Sequence, residues 1–270
     1  MVELAERLTG VPGIVGVLLG GSRARGTHTA DSDTDLGLYY RSPLDLERLG
    51  ELAREVAGPT AVVTRPGEWG PWVDGGAWLT VDCGAVDWIY RDLDRVERCW
   101  RDAEQGRYAF HAQVGHPLGV PDFAYPGEVA LGLLLADPTG ELASLRRRAA
   151  VFPPALADAL IGGLWEADFL LGVARKAVTR RDVAYVSGCL FRVLGVCAHA
   201  LHGAAGRWLV SEKGAVAAAA ALPGAPARFA ERAGAVFAGL DPDPVRLTAA
   251  LDAAADLVLD TADACAMMTR

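Results

Sequence analysis

The chain runs to 270 residues, of which 51% are hydrophobic and 22% charged, with a formal net charge of −8. That much apolar surface excludes intrinsic disorder, and the length favours two domains over one. A phosphate backbone rewards a broad basic field, so a chain of pI near 5.2 argues against a nucleic-acid partner.

Taken in order, the front of the chain alternates strands with helices. Ile14 to Leu19 is a short, β-branched apolar run ended by Gly20-Gly21, which predicts a buried strand. Leu36 to Tyr40 predicts a second. Between Leu44 and Ala57 apolar residues recur at helical spacing, with Pro43 near the first turn and Gly58-Pro59 at the end. Ala61 to Thr64, Ala77 to Val81 and Ala85 to Tyr90 predict three further strands, the last two joined by the hairpin-length spacer Asp82-Cys83-Gly84. Leu93 to Gln105 is an amphipathic helix. From about Ala149 the texture turns Ala- and Leu-rich, and helices are expected over Ala155 to Val178, Val183 to Leu201, Glu212 to Ala221, Pro226 to Ala238 and Pro244 to Met268. Phe152-Pro153-Pro154 marks the boundary, because a Pro pair stops one helix and opens the next. The expected architecture is α+β over residues 1–149, a mixed sheet flanked by helices, followed by an all-α bundle over 150–270.

Charge follows the same division. Residues 1–149 carry 22 acidic against 15 basic side chains, a net of −7, and residues 150–270 carry 12 against 11, a net of −1. The five cysteines form neither a CxxC pair nor a zinc ladder, which reads as reduced thiols of a cytoplasmic protein. The early apolar run follows Glu3 and Glu6 instead of a basic segment, against a signal peptide. No stretch is expected to reach the roughly 18–20 apolar residues of a membrane helix. A monomer or homodimer is expected.

The chemistry concentrates in Gly20-Gly21-Ser22-Arg23-Ala24-Arg25-Gly26 and the following Asp31-Ser32-Asp33-Thr34-Asp35. A strand running into Gly-Gly-Ser and a helix start offers backbone N–H groups and a hydroxyl to phosphate oxygens. Asp33 and Asp35 open the next strand two residues apart, so both carboxylates point to one side and repel unless a cation lies between them. Hard oxygen ligands of this kind suit Mg²⁺ held jointly with a nucleoside triphosphate. A third acid is expected from a neighbouring strand: Asp87, on the face opposite Val86, Trp88 and Tyr90, with Asp82 as the alternative. Two other readings fail on the residues. An EF-hand loop from Asp31 needs Gly and Glu where Leu36 and Ser42 stand, and a Walker loop needs a Gly-Lys-Ser/Thr that Gly20 to Gly26 lacks.

Gly21-Ser22, Asp33-Thr34-Asp35 and a later strand acid together resemble the nucleotidyltransferase superfamily typified by DNA polymerase β, over roughly residues 14–90. The resemblance implies that Ser22 holds the triphosphate, that Asp33 and Asp35 hold Mg²⁺, two ions in all, and that Asp87 is a third ligand or the general base. A compact catalytic domain before a helical one that closes on nucleotide and substrate is similar to the antibiotic nucleotidyltransferases, which adenylylate aminoglycosides or lincosamides from ATP. Asp182, ten residues before Arg192, and the later Glu212-Lys213-Gly214 are similar to the helical domain of the streptomycin/spectinomycin adenylyltransferases. There the acid contacts the drug and the Arg and Lys contact ATP; Asp182, Arg192 and Lys213 are the matching positions, although the Arg-to-Lys spacer is longer here. Independently of resemblance, Arg192 and Lys213 in an apolar bundle need anions, which a triphosphate or an Asp/Glu would equally supply.

Arg23 and Arg25 lie one turn into the phosphate-binding element, within reach of a nucleotide. Trp165, Glu166 and Asp168 combine an aromatic with two acids and suit a cationic amino sugar. His199 and His202 lack a third ligand and read as packing residues. Trp69, Trp72 and Trp78 belong to a core or to a cleft lining. The function expected is Mg²⁺-dependent transfer of AMP to a hydroxyl of an aminoglycoside-type molecule. The enzymatic alternatives are a lincosamide, a natural-product intermediate, an RNA end or a protein side chain; the alternative of another class is a non-catalytic nucleotide-binding, antitoxin-like regulator.

Overall fold

A computed structural model describes residues 1–26, 28, 29, 31–81 and 84–269. The chain divides into two units, the first formed by Met1–Asp102 with Tyr108–Val151, the second by Ala103–Arg107 with the residues from Phe152 onward.

Unit 1 begins with α1 (Val2–Thr9), β1 (Ile14–Leu19), α2 (Gly21–Ala24), β2 (Thr34–Tyr40) and α3 (Leu46–Ala57). There follow β3 (Gly76–Val81), β4 (Gly84–Asp92), α4 (Leu93–Glu104), β5 (Phe110–Gln113), β6 (His116–Pro121), α5 (Ala124–Leu131), β7 (Leu133–Ala136) and α6 (Glu141–Ala149). Five strands form a mixed sheet in the order β3-β4-β2-β1-β7, in which only β2 and β4 run parallel. Alternation sets its two faces. Leu36, Leu38, Tyr40, Val86, Trp88 and Tyr90 point to one side and pack with Ala5 and Leu8 of α1 and Leu49, Leu52 and Ala53 of α3. On the other side Arg91 is buried and forms a bidentate pair with Glu128 of α5 at 2.6 and 2.8 Å. Asp45 caps α3 by accepting from the Arg48 N–H at 3.0 Å.

Most predicted strands form where expected, and the exception has a local cause. Residues 61–64 make no strand; only Thr64 reaches β3, donating its N–H to the Gly76 carbonyl while its hydroxyl accepts from the Gly76 N–H at 2.7 Å. A side chain here takes the place of the next rung, so pairing stops after one residue. The β5–β6 hairpin, α5, β7 and α6 lie where periodicity predicts nothing. β5 and β7 have four residues each, and α5 contains Pro126-Gly127.

Unit 2 is largely helical: α7 (Pro154–Gly162), α8 (Trp165–Val178), α9 (Val183–Ala204), α10 (Ala215–Ala220), α11 (Phe229–Ala238) and α12 (Pro244–Met268). The single helix expected over 155–178 is two, parted at Gly163, and α10 and α11 each start three residues later than expected, behind the left-handed Gly214 and Arg228. Leu171, Leu190, Val193, Leu194, Leu251 and Leu257 are among the side chains of its core. The expectation that no stretch reaches the length of a membrane helix is corrected by α9, whose 22 residues are long and apolar enough by length and composition, although most of its apolar stretch is buried inside the protein. Small and apolar side chains raise hydropathy whether they face lipid or, as here, neighbouring helices.

Candidate active site

The parallel register of β2 and β4 sets Asp35 beside Asp87, Leu36 beside Trp88 and Gly37 beside Ile89. Since Leu36 and Trp88 are fully buried in the sheet core, the two carboxylates share the opposite face. Asp33 is exposed one residue before β2. Three carboxylates thus gather at one end of adjacent strands. The charges interact: burial pushes the Asp87 carboxyl up to about 6, with the charges of Asp33 and Asp35 adding to it. Burial also raises Asp35, reinforced by Asp33 and opposed by Arg25 and Arg91. Asp82, the alternative third acid, lies outside the described residues.

On the other flank of Asp35 the chain leaves β1 through Gly20-Gly21. The Gly20 N–H donates to the Asp35 carbonyl at 2.8 Å, which locks the turn to β2. Gly21 has φ +62°, and a Cβ built there would fall 1.7 Å from Asp35 Oδ2. The carboxylate therefore occupies the space any side chain at position 21 would need. Ser22 follows, half-buried, in an α2 of only four residues, so the expected helix start is a single turn with little macrodipole and any phosphate would meet the turn's amides and the Ser22 hydroxyl directly.

Arg23 does not point its hydrogen bonds outward. Its Nε donates to the Asp33 carbonyl at 3.1 Å and its Nη2 to the Ser32 carbonyl at 2.6 Å, fixing the loop that presents Asp33. The same loop is closed by the Thr29 N–H, which donates to Ser32 Oγ at 2.9 Å. Arg25 is exposed and acts on Asp35 through its charge.

Among the described residues no three His, Cys, Asp or Glu side chains form a ready-made metal cage. The donor set nevertheless fits Mg²⁺, which keeps several waters and is commonly held by one or two carboxylates together with substrate phosphates. The gap a Cβ would fill at Gly21 keeps the Asp35 carboxylate against the turn where such phosphates would lie.

The candidates in unit 2 fall into separate places. Arg192, for which a triphosphate or an acid was open, has an acid: its Nε and Nη2 reach the two oxygens of Glu166 at 2.6 and 3.0 Å. Trp165 and Phe169, one turn apart on α8, are exposed and meet edge to face at 6.3 Å, with Asp168 exposed beside them. Asp182 caps α9 through the Tyr185 N–H at 3.1 Å, and ten residues of helix, a rise of about 15 Å, separate it from Arg192. Lys213 is exposed between α9 and α10, its N–H donating to Ser211 Oγ at 3.2 Å. His199 and His202 are buried packing residues; burial drives His199 down to about 3, and His202 Nδ1 lies 2.9 Å from the Ala198 carbonyl. Sequence reasoning left Trp78 undecided. It stands on β3 directly opposite Asp87 and is 71% exposed, a pairing that only the register reveals.

Residues 3–65 match the model of the nucleotidyltransferase domain family. The match contains Gly21, Ser22, Asp33 and Asp35 and ends before Asp87. No curated protein matches the chain. Among solved structures, a nucleotidyltransferase-like protein from Exiguobacterium sibiricum is similar over 97% of this chain and 74% of its own, at 12% identity and a TM-score of 0.46. The domain makes the chain a transferase enzyme, with nucleotidyl transfer as its class of reaction.

Proposed function

We propose that the chain transfers AMP from ATP to a hydroxyl of a small molecule of the aminoglycoside type and releases pyrophosphate. The observation that supports this best is the row formed by the Gly20–Ser22 turn, Asp35 and Asp87, a phosphate-binding turn and two interacting carboxylates on adjacent strands. Asp33 and Asp35 would hold Mg²⁺, with Asp87 as a third ligand or as the base. Bound there, the ion would supply neutralisation of triphosphate charge and a lower pKa for the acceptor hydroxyl.

The chain's own groups have the remaining tasks. The turn and the Ser22 hydroxyl orient the triphosphate. Arg23 keeps Asp33 in place through the Ser32 and Asp33 carbonyls, and Arg25 balances part of the negative charge. The acceptor oxygen forms a bond to Pα while the bond from Pα to the bridging oxygen of pyrophosphate breaks, and the acceptor proton passes to the Asp87 carboxylate. A carboxyl pushed up to about 6 is ionised at neutral pH yet basic enough to take that proton. In unit 2 the resemblance implies Arg192 and Lys213 toward the nucleotide and Asp182 toward the acceptor, and the aromatic-and-acid set Trp165, Glu166 and Asp168 would serve a cationic acceptor.

The test is acceptor-dependent pyrophosphate release with Mg²⁺-ATP. Asp33→Asn and Asp35→Asn should each lower it by about 10³-fold or more, since this chemistry is chiefly positioning and charge neutralisation. Near wild-type turnover in either variant would overturn the assignment.

A further inference from the structure

We propose that Trp78, backed by Trp69, is the platform on which the acceptor's ring lies during transfer. The proposal rests on the function proposed above and adds the surface that receives the acceptor, a saturated, hydroxyl-bearing ring with cationic substituents, as in amino sugars and aminocyclitols.

Four observations carry it. First, Trp78 pairs directly with Asp87 across the antiparallel β3–β4 ladder, so their side chains rise from the same face with Cβ atoms roughly 5 Å apart. Its neighbours Ala77 and Leu79 are buried in the core on the other face. Second, the row across the sheet has a direction. The Gly20–Ser22 turn follows β1, Asp35 stands on β2, Asp87 on β4 and Trp78 on β3. With strands roughly 4.8 Å apart, the indole stands about 10 Å from Asp35, on the side away from the turn. An in-line displacement needs the acceptor oxygen opposite the departing pyrophosphate. With the pyrophosphate at the turn, the acceptor comes in over Asp87, and Trp78 is the next side chain outward.

Third, the indole is exposed yet ordered. A tryptophan 71% open to water carries a large apolar face that folding leaves uncovered, and here it is stacked on Trp69 with centroids 4.3 Å apart and planes 13° apart. Fourth, the backing ring sits on a clamped loop. Gln113 Nε2 donates to the Trp69 carbonyl at 2.7 Å, while Gln113 Oε1 accepts from the N–H groups of Trp72 and Val73, each at 3.0 Å. The Gly67 and Trp69 N–H groups both donate to the Asp74 carbonyl, and Asp74 pairs with Arg95 at 2.7 Å. A face fixed before its partner arrives loses little entropy on binding.

The class of ring follows from charge. Asp33, Asp35 and Asp87 make the neighbourhood anionic, and an indole face attracts cations, so both favour a ring bearing ammonium groups. The C–H faces of such a ring can lie on the indole while a hydroxyl at its edge reaches toward Asp87.

Binding of streptomycin, spectinomycin, kanamycin and lincomycin to the full chain, with Mg²⁺ and a non-hydrolysable ATP analogue present, tests this. At least one should bind, and Trp78→Ala should weaken it about tenfold, Trp78→Phe less, with affinity for the ATP analogue unchanged within twofold. Far-UV circular dichroism checks that the variants fold, as the exposure of the side chain predicts. The platform is overturned if no member of the panel binds, if Trp78→Ala binds the acceptor like wild type, or if the variant loses the ATP analogue instead, which would make the indole a nucleobase support. Failure of the underlying reading looks different: the panel binds but no pyrophosphate is released, and the effect of Trp78→Ala on binding still judges the platform.

Discussion

Gly21→Ala separates the stability of this site from its chemistry. The added Cβ would sit 1.7 Å from Asp35 Oδ2 and 2.7 Å from its Cγ, at a φ of +62°. Two costs follow. The left-handed backbone costs a non-glycine residue roughly 1–2 kcal/mol. The clash is with the end of a side chain, and Asp35 relieves it by rotating away, so the fold survives. Together these predict a loss of about 1–2 kcal/mol, or a melting midpoint lower by roughly 2–8 °C. Catalysis meets a harsher condition, because the carboxylate must move by an ångström or more to make room, and a displacement of that size costs about 10²-fold. The assay is acceptor-dependent pyrophosphate release alongside thermal melting. Turnover within threefold of wild type would falsify the claim that Asp35 works from its place against the turn, and an unfolded variant would refute the cheap rotation.

Arg23→Ala removes two hydrogen bonds to the Ser32 and Asp33 carbonyls and should lower turnover about tenfold to a hundredfold with little change in melting, while Arg23→Lys recovers part of it; equal loss with Lys and Ala would argue for a direct contact with substrate. Glu166→Ala leaves the half-buried Arg192 without its bidentate partner, and with both side chains partly open to water the loss should be about 1–2 kcal/mol in a denaturant titration. His199 is buried and neutral, lowered to about 3, so its contribution to stability is complete above pH 6.5 and declines as acidity approaches pH 3, by up to about 1.4 kcal/mol per pH unit. His199→Gln should flatten that slope in melting midpoints taken between pH 7 and pH 4.

The sheet was open to reading because β1, β2, β3 and β4 carry their burial pattern in their own residues, and the Asp33-Thr34-Asp35 spacing needs no tertiary knowledge to show two acids on one side. Asp87 was found the same way, by asking which face of its strand Trp88 fills. What sequence could not supply was adjacency between strands. Trp78 becomes a neighbour of Asp87 only through the β3–β4 register, and Arg192 finds Glu166 only when α8 and α9 pack. Within the stretch from 106 to 149, β5 and β7 are silent because four residues show too few periods, and α5 because Pro126-Gly127 is an unusual pair inside a helix. Residues 61–64 misled for the opposite reason: they have the composition of a strand, and a Thr64 hydroxyl ends the pairing after one rung.

Residues 103–107 belong with the helical unit although 102 and 108 do not, so the chain passes from one unit to the other three times. Gly106, with φ +69°, sits where a Cβ would fall 2.7 Å from the Ala155 carbonyl, a close fit between stretches about fifty residues apart. The two units alternate along the sequence instead of following one another. A protease cut between Val151 and Phe152 would therefore leave a piece of the second unit on the first fragment, and the fragments should stay associated after cleavage. The second unit requires residues 103–107 from the far side of that cut, which makes this junction a poor place to divide the protein.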